Sequence, residues 1–322
     1  MYRKILHSLK QIPAKVYSIL AVFLLVIGMY AVALSLSQQE IIFPEIAALA
    51  VGTWVLGNQR WLSRPWLIWL SPTVAAVTGT IIVHFLPQYQ VGDILLAFVV
   101  VSIELSLLRS HITPSISAGI LPIFLQIDSL YYPLAVGGLT GIIALSQQGL
   151  LLRDKAKLSV SQKTTPYRSG KLGANKNLLE WLGIFTGVGL ITLLAFFLHW
   201  QFIVAPPLIV TFVEVIQHRE GLDDQRLKLV SLLGCAAIWG TFCMIVLHNM
   251  GHFPLVIVAG CSVLGVLLLF QFLKLSFPPA MAISLLPTII PGEYLGLYSV
   301  QVFSGALIFV VLSWFYTKRG SN

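Results

Sequence analysis

The chain has 322 residues, of which 57% are hydrophobic and 10% charged, with a mean hydropathy of +0.88 and a formal net charge of +8. Soluble domains carry about 25% charged residues, so this composition excludes a soluble globular fold and points to an all-α, polytopic membrane protein. The positive balance then concerns topology and contact with membrane lipid. No basic patch with interleaved aromatics accompanies it, which excludes nucleic acid as a partner.

Crossing about 30 Å of hydrocarbon takes roughly 17–25 helical residues. By that measure the apolar runs fall at 16–36, 41–57, 66–86, 92–108, 113–130 and 132–152, then at 179–199, 202–217, 229–248, 254–271, 277–292 and 297–316. That makes about twelve transmembrane helices, six per half, the second and fifth of each half being short. The basic start followed by an apolar run has the outline of a signal peptide. Its apolar stretch of about 20 residues exceeds the usual ~7–15, so an uncleaved first span is expected. Residues 153–177, rich in Lys, Ser, Thr and Gly, form a linker between an N-terminal half (1–152) and a C-terminal half (178–322).

Charge placement fixes an orientation. With the N-terminus cytoplasmic, all 20 basic residues fall in inner segments, Arg60, Arg64, Arg109, Arg226 and Lys274 among them, and the outer loops hold none. Both termini are then cytoplasmic, in a multi-pass protein of the cell membrane. Trp61, Trp66, Trp69, Trp181, Trp200, Tyr131, Tyr132, Trp314 and Tyr316 lie near span ends, as an interfacial aromatic belt requires. Cys235, Cys243 and Cys261 lie inside spans and imply neither a disulfide framework nor a metal site.

The two halves say nearly the same thing at an offset of 163 to 165 residues. FPEIAALAVGTWV from Phe43 is echoed by APPLIVTFVEVIQ from Ala205, and TPSISAGILP from Thr113 by PPAMAISLLP from Pro278. Pro44 aligns with Pro207, Pro114 with Pro279, Pro122 with Pro287 and His84 with His248. Six spans per unit make these parallel repeats about an axis along the membrane normal. The Pro-led second and fifth spans of each half run in opposite directions, a nested three-plus-three inverted arrangement.

Four helices begin with proline, at Pro44, Pro114, Pro206–Pro207 and Pro278–Pro279. Proline suits a first helical turn because its missing N–H would be unpaired there. Three of the starts have apolar lead-ins: Ile41 to Phe43, Phe202 to Ala205, and Leu275 with Phe277. The helices are therefore expected to begin below the interface, in irregular backbone tolerated at depth only inside protein or beside a cavity. Their free N–H groups and partial positive charge would suit an anionic or polar solute, with Glu45, Ser115, Ser117, Thr211 and Ser284 alongside as candidate ligands. The plainer reading is that these prolines only start helices at the surface. Small-residue pairs at Gly137/Gly141, Gly183/Gly187 and Ala75/Gly79 read as helix-packing seams.

The pairing of APPLIVTFVEV with LSFPPAMAISLLP resembles the HPP family of integral membrane proteins, over roughly 179–316 and more weakly over 16–152. That resemblance implies a small-anion transporter, a nitrite-like anion being one candidate solute. The chain departs from the family's His-Pro-Pro segment: Phe277 and Thr113 stand where its histidine would be, Ser115 replaces the second proline of the first copy, and Met281, Ala282 and Ile283 replace its glycine-alanine-threonine run.

Intramembrane carboxylates are candidates for proton or ion coupling, and here they are Glu104 and Glu214. The alternative is that each snorkels to the interface and pairs with Arg109 or Arg219. Glu45 would complement its helix dipole but repel an anion. Asp93, Asp128 and Glu293 read as outer-rim residues, His84 and His248 as interfacial hydrogen-bonders, and Asp223 and Asp224 as a solvated turn. No HExxH, P-loop, dinucleotide turn or nucleophile–base pair is present, so no catalytic residue, cofactor or metal is expected. The sequence thus points to a non-enzymatic transporter or facilitator working by alternating access between its halves. The competing readings are a scaffold or accessory subunit, and an enzyme on lipid-linked substrates in which Glu104 and Glu214 face one another.

Overall fold

The computed structural model describes residues 2–86, 89–158, 174–217 and 225–319. The 159–173 part of the expected linker, and the loop with His218, Arg219, Glu220, Asp223 and Asp224, lie outside the described residues. Thirteen α-helices follow one another: α1 (Tyr2–Ser35), α2 (Glu45–Ala50), α3 (Gln59–Leu62), α4 (Pro65–Phe85), α5 (Gln90–Leu108), α6 (Pro114–Leu125), α7 (Tyr131–Leu158), α8 (Ala174–Phe197), α9 (Pro206–Gln217), α10 (Arg226–Phe242), α11 (Leu255–Leu273), α12 (Pro279–Leu285) and α13 (Leu295–Arg319). Among the described residues there is no strand. Helix α2 runs on as a π-helix over Val51–Val55 and α10 as one over Cys243–Met250.

Among the described residues six helical stretches are long and apolar enough to cross a membrane: Val16–Ser35, Pro65–Phe85, Gln90–Leu108, Arg226–Met250, Leu255–Leu273 and Gly292–Trp314. A multi-pass membrane protein fits this composition. The Pro-led helices are shorter. At about 1.5 Å per residue, α6 and α9 reach only about 18 Å and α12 less.

Those short helices form the centre. Helix α2 packs on α6 and α12, and α9 packs on the same two, closing a ring of four. The longer helices wall it in: α1 and α7 on α2, α4 and α5 on α6, α8 and α13 on α9, α10 and α11 on α12. Every residue of α2, α6 (except Leu125) and α12 is buried. The lead-ins to α2 and α9 are buried too, from Ile41 to Phe43 and from Phe202 to Ala205, whereas before α12 Leu275 and Phe277 are buried and Ser276 between them is exposed. Buried irregular backbone needs replacement partners. Side chains supply some: Phe43 N–H points at Met29 Sδ at 3.2 Å, and Phe202 N–H donates to Gln301 Oε1 at 3.0 Å.

Close approach rests on two glycines. A Cβ at Gly79 of α4 would lie 2.1 Å from the carbonyl oxygen of Gly119 in α6, and one at Gly240 of α10 would lie 2.1 Å from that of Ser284 in α12. The expected Ala75/Gly79 seam is therefore real packing, with Ala75 O lying 3.2 Å from where a Gly119 Cβ would stand.

Helices α1 and α8 each pack on a partner remote in sequence. Helix α1 lies on α11, where Phe23 and Ile27 cover Gly260, and α8 lies on α5, where Leu95 meets Gly189. Chain turns also recur at the same places. Left-handed residues end the region after α1 (Ser37) and after α8 (His199), and cap α5 (Arg109) and α11 (Lys274).

Two members of the expected aromatic belt face protein instead. Tyr132 is fully buried, and Trp61 is buried with its Nε1–H donating to His111 O at 3.0 Å. Asp93, placed on a rim by sequence, is buried in the first turn of α5. His84 and His248 share a number offset but not an environment. His84 pairs with Asp128 at 2.7 Å, whereas His248 Nδ1 meets Phe253 O at 2.9 Å. His84 lies in the last turn of α4, whereas His248 lies in the π segment that ends α10.

Candidate functional site

The polar groups of the centre gather around the start of α6. Pro114 occupies its first turn, and Thr113 precedes it in helical conformation. The Thr113 hydroxyl donates to Glu214 Oε1 of α9 at 2.5 Å. One turn on, the Ser117 hydroxyl donates to Glu45 Oε1, Glu45 being the first residue of α2. Residues four apart share a helix face, so α6 presents one hydroxyl to each of two carboxyl groups from two different helices. The beginnings of α2 and α6 therefore meet inside the protein, with acidic side chains beside the dipole end of α6.

Three tyrosines close this centre. Tyr30, Tyr132 and Tyr298 are buried within electrostatic reach of Glu45, and each hydroxyl is committed elsewhere. Tyr30 shares a 2.6 Å hydrogen bond with the hydroxyl of Thr288. Tyr132 donates to Ala118 O at 2.8 Å, and Tyr298 donates to Ile283 O at 2.7 Å. Those two carbonyls need outside donors for one reason. Four residues on stand Pro122 and Pro287, which have no N–H to give. Sequence reading paired Pro122 with Pro287 but missed the tyrosines. The signal was present, since each proline frees a carbonyl four residues earlier and a tyrosine follows ten or eleven residues later.

The remaining candidates divide. Pro44, Pro114, Pro206, Pro207 and Pro279 are buried in the ring and Pro278 is half-buried at its edge. Thr211 and Ser284 turn inward on their own helices, donating to Pro207 O and Met281 O, both at 2.9 Å. Ser115 is fully buried, and its hydroxyl has no partner among the described residues. Glu104 stands apart from the cluster. Its Oε1 accepts from Thr78 of α4 at 2.5 Å, so the expected pairing with Arg109, which is exposed, is replaced by a hydroxyl. Glu104 and Glu214 do not share a partner. For Glu214, pairing with Arg219 concerns a residue outside the described ones.

A crevice of about 420 Å³ opens elsewhere, lined by Tyr89, Gln90, Val91, Gln126 and Phe196, near the end where His84 meets Asp128. Among the described residues no group of three or more His, Cys, Asp or Glu could hold a metal ion. Searches of family models, curated proteins and solved structures find nothing that matches this chain.

Proposed function

We propose that this chain is a membrane transporter of a small polar or anionic solute, built as two parallel six-helix repeats with cytoplasmic termini and moving its solute where the four short helices cross. The observation that carries this reading is the closed ring of Pro-led helices with buried, irregular lead-ins. Broken helices that meet inside a bundle are the usual way for a membrane protein to present backbone and polar side chains to a solute.

Support for the repeat comes from paired details: Tyr132 with Pro122 against Tyr298 with Pro287, Gly79 against Gly240, and α1 on α11 against α8 on α5. The head-to-head meeting of α2 and α6 supports an inverted relation inside the first half. The distribution of all 20 basic residues supports the orientation. With two carboxyl groups beside the α6 start, an anion enters only together with neutralising protons. The solute class is therefore a neutral polar molecule or a proton-accompanied anion, and the likeness to the HPP family keeps a nitrite-like anion among the candidates.

The test is uptake by purified protein in liposomes, against a panel of small anions, nitrite included, and neutral polar metabolites, with and without a pH gradient. Uptake of at least one solute above empty liposomes is expected. A flat panel sinks the transporter reading and leaves the second one, a membrane scaffold or accessory subunit. That second reading draws on the dense filling of the same centre, where residues 47–50, 116–121, 208–213 and 280–286 are all buried.

A further inference from the structure

We infer that Glu45 is a reversible proton-binding site, the carboxyl group that takes up and gives back the coupling proton. The inference deepens the transporter reading in what the proton drives. The binding itself stands on local geometry.

Glu45 is 1% exposed. One oxygen accepts from Ser117, and the other, Oε2, has no partner among the described residues. Among the described side chains, the elements packed against it carry no Lys, Arg or His. From α1 the titratable neighbour is Tyr30, from α7 Tyr132 and from α13 Tyr298. Helices α6 and α12 contribute no ionisable residue, and α9 contributes Glu214, which is held by Thr113. The lead-in before α2 carries Glu40, hydrogen-bonded to Ser129. No tyrosine hydroxyl is free to donate to Glu45, because all three are bonded elsewhere.

An unpaired carboxylate in such surroundings costs several kcal/mol, while the neutral acid costs far less. A metal ion such as calcium takes about 6–8 oxygen ligands, whereas the side-chain hydroxyl bonded to Glu45 is that of Ser117. The ligand that fits is therefore a proton on Oε2, with Ser117 holding Oε1. Glu45 can ionise only when the α2–α6 contact parts and admits water, which ties proton release to movement of the ring.

Infrared spectroscopy of the full chain in lipid tests this without knowing the solute. At neutral pH the wild type is expected to show a carboxylic-acid C=O band that is lost in Glu45→Gln and disappears reversibly in alkali. Ser117→Ala, which frees the C=O, should shift that band to higher wavenumber, while Glu104→Gln should leave it in place. Monodispersity in size-exclusion chromatography checks that each variant folds. No difference between wild type and Glu45→Gln in that region overturns the proposal, as does a band abolished by sodium at constant pH. If liposomes transport nothing yet the Glu45 band is present, the transporter reading fails and the proton site stands. If solute uptake is found but is indifferent to Glu45→Gln and to pH gradients, the coupling role falls.

Discussion

Helix α6 and helix α12 share a frame and differ in what surrounds it. Each has a proline near its end, a tyrosine from the following long helix on the carbonyl that proline strands, and a glycine of a long neighbour pressed against its backbone. Around α6, however, stand Glu45, Ser117, Thr113 and Glu214. The residues that align with Glu45 and Ser117 in the second half are Leu208 and Ala282, both fully buried. The frame is thus kept by backbone constraints, while the buried carboxyl groups gather around α6 alone. In this reading α6 carries the proton chemistry, and α12 provides an apolar counterpart for it to move against.

The sharpest way to break the comparison is at the shared glycines. Gly79→Val and Gly240→Val each drive a side chain into a carbonyl group that cannot move away. Each is expected to cost about 3 kcal/mol or more, seen as loss of the monodisperse peak in size-exclusion chromatography. Tolerance of one but not the other would show that the two frames are not equivalent. Next comes a transplant. Glu45→Leu with Ser117→Ala gives α2 and α6 the residues at the aligned positions, and should leave stability in thermal unfolding unchanged or raised while abolishing pH-driven transport. Leu208→Glu, the reverse, should destabilise.

The tyrosine devices are expected to contribute less. Tyr132→Phe and Tyr298→Phe leave a buried carbonyl unpaired, at about 1–3 kcal/mol each. Replacing the matching proline by alanine restores an N–H at the right place. The cost of Tyr132→Phe should therefore shrink in a Pro122→Ala background, and the same holds for Tyr298→Phe with Pro287→Ala. Additive effects in thermal melts would refute the pairing. Smallest are the caps: Arg109→Gly and Lys274→Gly relieve left-handed backbone worth about 1 kcal/mol, partly offset by the lost cation at a helix end. A matched small rise in melting temperature is the expected outcome.

Much of this architecture was legible in the residues. Of the twelve expected runs, hydropathy placed six long helical stretches to within a few residues, while Pro114–Leu125, Pro206–Gln217 and Pro279–Thr288 are shorter than a lipid-crossing length. The Pro-led starts were visible because proline's missing N–H is a local property. What lay beyond reach was partner choice. Lipid and protein are equally apolar neighbours, so nothing in the α1 sequence says that Ile27 seeks Gly260. For the same reason Tyr132 read as a belt residue, though its hydroxyl answers Pro122. The alternative that Glu104 pairs with Arg109 rested on their closeness along the chain, and the hydroxyl of Thr78 holds it instead. The weight of Glu45 over Glu104 came from burial, which no spacing rule delivers.

Because α1 rests on α11 as well as on α2, the first of these contacts must wait while about 220 residues, from Ser35 to Leu255, are still being synthesised. At roughly 5–20 residues per second that is a delay on the order of 10–45 s in the lipid phase. The α1–α11 contact therefore forms late, after α1 has met α2 and the segments on either side of it. Separately expressed halves should be degraded unless they are made together.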